Sequence, residues 1–143
     1  MTRLAYYSWL LALPTLVGCG NGLSMVSGTV TLDGRPVECG PDMYGTVSFY
    51  RANGGGAPAT GLIDTSGRYR LNTGTRGGVS PGSYVVAIAV KKVTPAIGDL
   101  GMPQPHNITP PKYADVHNSG LTAVVQPGTN TIDFTLEPEG EGG

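Results

Sequence analysis

The chain has 143 residues, and its 9 Lys and Arg stand against 10 Asp and Glu, a formal net charge of −1. No basic face able to displace counterions from phosphates is visible, which argues against nucleic acid as a partner. Gly (23) and Pro (12) are abundant and charged residues few (13%), yet apolar residues recur in short alternating runs between turn signals, as in an all-β domain rather than a disordered chain.

In chain order, Arg3 gives a positive start, Leu4 to Val17 is an almost unbroken apolar run, and Leu16-Val17-Gly18-Cys19 follows. This order of charge, apolar run and small residue is a secretion signal. As a helix the run is about 21 Å long, too short to span a hydrocarbon core of roughly 30 Å. Leu16 to Cys19 resembles the lipobox of bacterial lipoproteins. That resemblance implies diacylglycerol on the Cys19 sulfur, cleavage before Cys19, and an acyl chain on the new N-terminus, palmitate being a common one. The protein would then be anchored to a cell membrane or outer membrane, facing the periplasm or exterior, without entering the bilayer. Gly20, rather than Asp, follows the cysteine and leaves outer-membrane transport open. Without Arg3 the mature chain keeps eight basic against ten acidic side chains, about −2. With Cys19 lipidated, Cys39 has no disulfide partner in the chain.

Residues 19–24 read as a tether, small and polar. Met25 to Leu32 alternates as a strand with Val26, Val30 and Leu32 on one face, and Asp33-Gly34 closes a tight turn. Gly45 to Tyr50 is a second strand with Val47 and Phe49 inward. Ala59 to Ile63 and Arg68 to Leu71 read as a pair joined by Asp64-Thr65-Ser66-Gly67, in which Asp64 accepts from the turn amides and Gly67 takes a positive φ. Too few oxygen ligands surround this turn for calcium, and Arg68 and Arg70 oppose a cation. Pro81-Gly82 turns into Ser83 to Val93, apolar on both faces and therefore central. Leu121 to Val125 and Asn130 to Leu136 read as a closing hairpin around Pro127-Gly128, with Ile132, Phe134 and Leu136 inward. Residues 137–143 form an acidic, Gly-rich tail with nothing to bury.

Seven short strands without a helix predict a two-sheet antiparallel β-sandwich over 25–136. The segments Gly28-Thr29-Val30, Asp33-Gly34-Arg35-Pro36-Val37, Gly45-Thr46-Val47-Ser48-Phe49, Asp64-Thr65-Ser66-Gly67-Arg68-Tyr69 and Pro81-Gly82-Ser83-Tyr84-Val85-Val86 resemble carboxypeptidase regulatory-like domains. These are transthyretin-like (prealbumin-like) Greek-key sandwiches. Pro111-Lys112-Tyr113-Ala114-Asp115, Ser119-Gly120-Leu121-Thr122 and Gly128-Thr129-Asn130-Thr131-Ile132 resemble the small lipoproteins of this type found in planctomycete bacteria. The resemblance implies an envelope-exposed accessory domain without enzymatic activity.

Residue by residue, the related enzymes are a poor match. Transthyretin-like urate-pathway hydrolases use an early His and a Tyr-Arg-Gly-Ser ending, whereas the first His here is His106 and the chain ends in Gly-Gly. Intradiol dioxygenases hold iron on two Tyr and two His; His106, Tyr113 and His117 occur together, but all lie in one Pro-rich stretch and a fourth ligand is missing. No Ser, His and acidic set has catalytic spacing. The expected function is a non-enzymatic envelope lipoprotein that binds a protein or polysaccharide and needs no cofactor or metal. The alternatives are a structural lipoprotein without a specific ligand or an enzyme built on residues 94–120. That segment, about 27 residues against a usual four to six for a connection, is the expected recognition loop. His106, Tyr113 and His117 are its candidate ligand-binding residues.

The Arg3 to Cys19 pattern predicts that mass spectrometry of the expressed protein finds a diacylated or triacylated N-terminal Cys19 peptide. An unmodified soluble chain, unchanged by Cys19→Ser, would overturn the lipid anchor.

Overall fold

The computed structural model describes residues 22–96 and 101–140. The expected signal peptide, Cys19, residues 97–100 and the last three residues of the tail lie outside this range. β1 (Met25–Leu32) buries Val26 and Val30 and turns Ser27, Thr29 and Thr31 the other way. Asp33 and Gly34, at φ of 53° and 78°, take the left-handed geometry of a two-residue type I′ hairpin. They return the chain as β2 (Arg35–Pro36) against Leu32 and Thr31.

β3 (Met43–Arg51), β4 (Ala59–Leu62), β5 (Arg68–Arg70), β6 (Asn72–Thr73) and β7 (Arg76–Gly77) follow. Then come β8 (Gly82–Thr94), β9 (Gln104–Asn107), a 3-10 turn at Pro111–Ala114, β10 (Leu121–Val125), β11 (Thr129–Thr131) and β12 (Phe134–Leu136). Among the described residues these strands make a seven-stranded antiparallel sheet and a five-stranded mixed sheet. In the larger, β8 is central as its two apolar faces predict, pairing with β3 over nine residues from Met43↔Lys92 to Arg51↔Tyr84. Its other edge receives β10 at one end and β9 at the other. At its start Gly82 takes φ 148°, and the Tyr84 hydroxyl donates to Ser80 O at 2.6 Å, fastening the Pro81-Gly82 turn.

The sheets share one core in a sandwich-like arrangement, with Val47, Phe49, Val86, Ile88 and Val90 from one side and Val26, Val30, Tyr69, Phe134 and Leu136 from the other. Aromatic rings cross the interface in series. Tyr84 lies 5.7 Å from Phe49, Phe49 lies edge-on 6.0 Å from Phe134, and Phe134 lies 6.1 Å from Tyr69. Such pairs contribute about 0.5–1.5 kcal/mol each beyond the area they bury.

The smaller sheet is built on β1. β5 and β2 pair with it antiparallel on one side, while β11 and β12 run parallel to it on the other. Between β11 and β12 the Ile132 carbonyl leaves the ladder and turns over Gly28, so close that a Cβ at position 28 would lie 1.8 Å from the oxygen. The Tyr69 hydroxyl donates to that oxygen. Thr29 N–H donates instead to Asp133 Oδ1 at 2.8 Å, and Ile132 N–H to Ser27 O at 2.8 Å. Burial, reinforced by the Asp133 carboxylate, pushes the Tyr69 phenol well above its ordinary pKa, so it stays a donor.

Three expectations need correction. The 121–125 and 130–136 segments do not form a hairpin: β10 pairs with β8, whereas β11 and β12 pair with β1 in the other sheet. Asn130 makes this corner, accepting from Gln126 N at 2.9 Å and donating to Gln126 O at 2.8 Å. Likewise the Asp64-Gly67 turn is present, with Gly67 at φ 83°, but β4 and β5 on either side of it belong to different sheets. At that corner the Arg70 carbonyl passes where a Cβ on Gly61 would lie, at 2.2 Å. The pairing is also not wholly antiparallel, since β1 has parallel neighbours. Alternation marks which face of a strand is buried but does not name its partner.

The ends of the fold also differ from expectation. Ser24, inside the expected tether, is buried and exchanges backbone hydrogen bonds with Val79 at 2.7 and 2.8 Å. Glu137, at the start of the expected tail, donates its N–H to the Tyr113 hydroxyl at 3.1 Å.

The close approach at Gly28 predicts that Gly28→Ala forces the β1 and β11–β12 backbones apart and costs about 3 kcal/mol or more. Gly40→Ala, with open space around the new methyl, should stay within about 0.5 kcal/mol of wild type. Urea denaturation measures both; equal midpoints would refute the packing at Gly28.

Candidate functional site

The segment expected to carry recognition is instead largely the cover of a sheet edge. β9 pairs with β8 from Lys91↔Asn107 to Thr94↔Gln104. Beyond it, Ile108 N–H donates to Val90 O at 2.9 Å, and the buried Thr109 Oγ1 accepts Val90 N–H at 3.2 Å. Ser119, also buried, donates its hydroxyl to Val86 O at 2.6 Å and accepts Leu121 N–H at 3.2 Å. Two hydroxyl side chains thus take up β8 backbone groups between β9 and β10, where an unpaired buried amide would cost about 1–3 kcal/mol.

The three candidate ligand residues are not brought to one surface. Tyr113 is 7% exposed, packed in the core beneath the Lys112 ammonium, 4.9 Å from its ring centre. His106 is exposed on β9 opposite Lys92. His117 is exposed in a turn held by Asp115, whose Oδ1 accepts His117 N–H at 2.9 Å and whose Oδ2 accepts from Asn118 at 2.6 Å. Those bonds hold the Asp115 carboxyl below its usual pKa. Among the described residues no cluster of three or more His, Cys, Asp or Glu is placed to hold a metal ion. Cys39 is buried, and burial with the nearby Asp64 carboxylate raises its thiol pKa, which keeps it a protonated core residue.

A concave polar surface lies elsewhere, on the outer face of the smaller sheet. It is a groove of about 730 Å³ floored by β1 and walled by β5 on one side and β11 with Asp133 on the other. Directly opposed residues of neighbouring strands point to the same face, so the register orders the lining into two rows. Arg70, Ser27 and Thr131 form one row. Arg68, Thr29 and Asp133 form the other, joined by the Thr29 to Asp133 bond. Leu62, 74% exposed, stands at the rim.

Asp64 also lines the groove, with its Oδ1 committed to the turn: Ser66 N–H at 2.8 Å, Ser66 hydroxyl at 2.7 Å and Arg68 N–H at 3.0 Å. The Ser66 hydroxyl first, then the backbone bonds and the Arg68 charge, lower its carboxyl pKa. Sequence reasoning used Arg68 and Arg70 only to disfavour a cation. The outward alternation of both arginines was legible, but their alignment with Ser27 and Thr29 requires knowing that β5 pairs with β1.

Comparisons with known proteins do not supply a family. No family model matches the chain, and no curated protein matches it. Among solved structures it is similar to a 9R-lipoxygenase from Cyanothece PCC8801, at 13% identity and a TM-score of 0.35 over 81% of this chain. The chain spans 16% of the length of that protein. What the fold defines is a two-sheet, nearly all-β domain with a polar groove on the smaller sheet.

The edge-cover role of the 101–120 segment predicts that Thr109→Val and Ser119→Ala each cost about 1–3 kcal/mol by orphaning β8 backbone groups. His106→Ala and His117→Ala should stay within about 0.5 kcal/mol of wild type. Thermal and urea denaturation of the four variants checks this, and the opposite ranking would contradict the role.

Proposed function

We propose that the chain is a non-catalytic lipoprotein of the bacterial envelope, held to a membrane by lipid on Cys19, whose β domain recognises a protein or polysaccharide. The anchor rests on the sequence from Arg3 to Cys19. The recognition role rests on one observation above the others: a polar groove with two arginines, three hydroxyls and two carboxylates. Such a lining suits hydrogen-bonded recognition.

In this reading the domain is a seven-strand carboxypeptidase regulatory-like sandwich of transthyretin-like Greek-key type, of the planctomycete lipoprotein kind. In support stand the Asp33-Gly34 and Asp64-Gly67 turns at the motif positions and the central place of the strand after Pro81-Gly82. Beyond the seven expected strands, β2, β6 and β7 are two-residue pairings, β9 is an added strand on β8, and the expected last strand is divided into β11 and β12.

The test uses the intact lipoprotein as bait in detergent-solubilised envelope, beside a variant with Arg68→Glu and Arg70→Glu. Wild type should retain an envelope component that the double variant loses. Identical recovery by both, from preparations of equal melting temperature, would remove the groove from the proposed function.

A further inference from the structure

We propose that the groove on the smaller sheet binds an acidic glycan, with the carboxylate of a hexuronate unit held by Arg70, Ser27 and Thr131 and its neighbouring ring hydroxyls by Arg68 and Asp133. The inference deepens the recognition reading above and rests on it. Its basis is the unequal charge of the two rows.

Arg68 has carboxylate neighbours: Asp133 closes its own row, and Asp64 lies close enough for the guanidinium charge to stabilise it. The Arg70 row holds only hydroxyls. A guanidinium followed across the sheet by two hydroxyl donors is a site for a planar oxyanion, which takes a two-pronged bond from Arg and single bonds from Ser and Thr. Two residues along β5, about 6.6 Å away, the second row offers a guanidinium donor and, on the other side of Thr29, a carboxylate acceptor. Each hydroxyl of a vicinal diol both donates and accepts, so a diol engages such a pair fully, whereas a second anion would meet Asp133. One end of the groove therefore calls for a negative group and the other for neutral hydroxyls.

The two carboxylates of the lining are held in place. Asp133 is fixed by Thr29 N–H and Asp64 by its turn, so neither must be immobilised on binding. The chain rises from β1 and β5 on backbone pairing, and the Tyr69 bond to Ile132 sets the far wall.

The test titrates the full chain in detergent micelles with tetragalacturonate, neutral maltotetraose and tetraglutamate, following heat and amide NMR shifts. Tetragalacturonate should bind at least about tenfold more tightly than either of the others. Arg70→Ala should abolish this preference and Arg70→Lys restore part of it, since an ammonium keeps the charge but not the two-pronged geometry. Arg76→Ala, on β7 away from the groove, should bind like wild type. Shifted amides should fall on β1, β5 and β11.

Equal binding of maltotetraose would overturn the anion site, and equal binding of tetraglutamate would overturn the glycan in favour of an acidic peptide. No binding of tetragalacturonate, or binding unaffected by Arg70→Ala, would overturn the proposal outright. If an envelope component is captured by wild type and equally by Arg70→Ala, the recognition reading stands and this ligand assignment falls.

Discussion

The smaller sheet depends on one close approach, the Ile132 carbonyl over Gly28. Any side chain at position 28 would occupy the space of that oxygen. The Tyr69 hydroxyl satisfies the displaced carbonyl, and Asp133 replaces it as acceptor for Thr29 N–H. A strand that runs parallel to β1 thereby turns one peptide inward without leaving a buried polar group unpaired. The same adjustment brings Tyr69 and Phe134 into ring contact, which ties the joint to the aromatic series crossing between the sheets.

That joint also shapes the surface. With Asp133 bonded to β1, its carboxylate stands on the outer face, in line with Thr29 and Arg68, while Thr131 stays in line with Ser27 and Arg70. The polar groove is thus the outer side of the packing that closes the core. Its charge pattern, one row with a carboxylate and one without, follows from which residue supplies the hydrogen bond to Thr29. A structural substitution at Asp133 is for this reason also a change in the chemistry of the groove.

The larger sheet solves a different problem. β8 is thirteen residues long, and neither β9 nor β10 covers its whole free edge. Thr109 and Ser119 fill the interval with hydroxyls, and Tyr113 packs beside them into the end of the core. Proline suits such an edge, because Pro105 on β9 withholds an amide that would otherwise face outward unpaired. A Pro-rich segment of this length looks from its sequence like a recognition loop, and its buried residues show a sheet-edge cover.

What the sequence determined by itself was local. The type I′ turn at Asp33-Gly34, the Asp64 turn closed by Gly67, the inward faces of Val26, Val47, Phe49, Phe134 and Leu136, and the two-sided burial of β8 all follow from side-chain alternation and from the few residues that tolerate positive φ. The lipid anchor proposed from the N-terminal charge, apolar run and Cys19 rests on the sequence alone, since those residues lie outside the described structure. Tertiary structure alone decided the partners: β5 and β12 on β1, β10 on β8, and the burial of Tyr113 but not His106 or His117. The groove belongs to this second class, since Ser27, Arg70 and Thr131 are far apart in the chain. Strand pairing is chosen by the combined fit of all faces at once, and a period of two is the same whichever neighbour a strand finds.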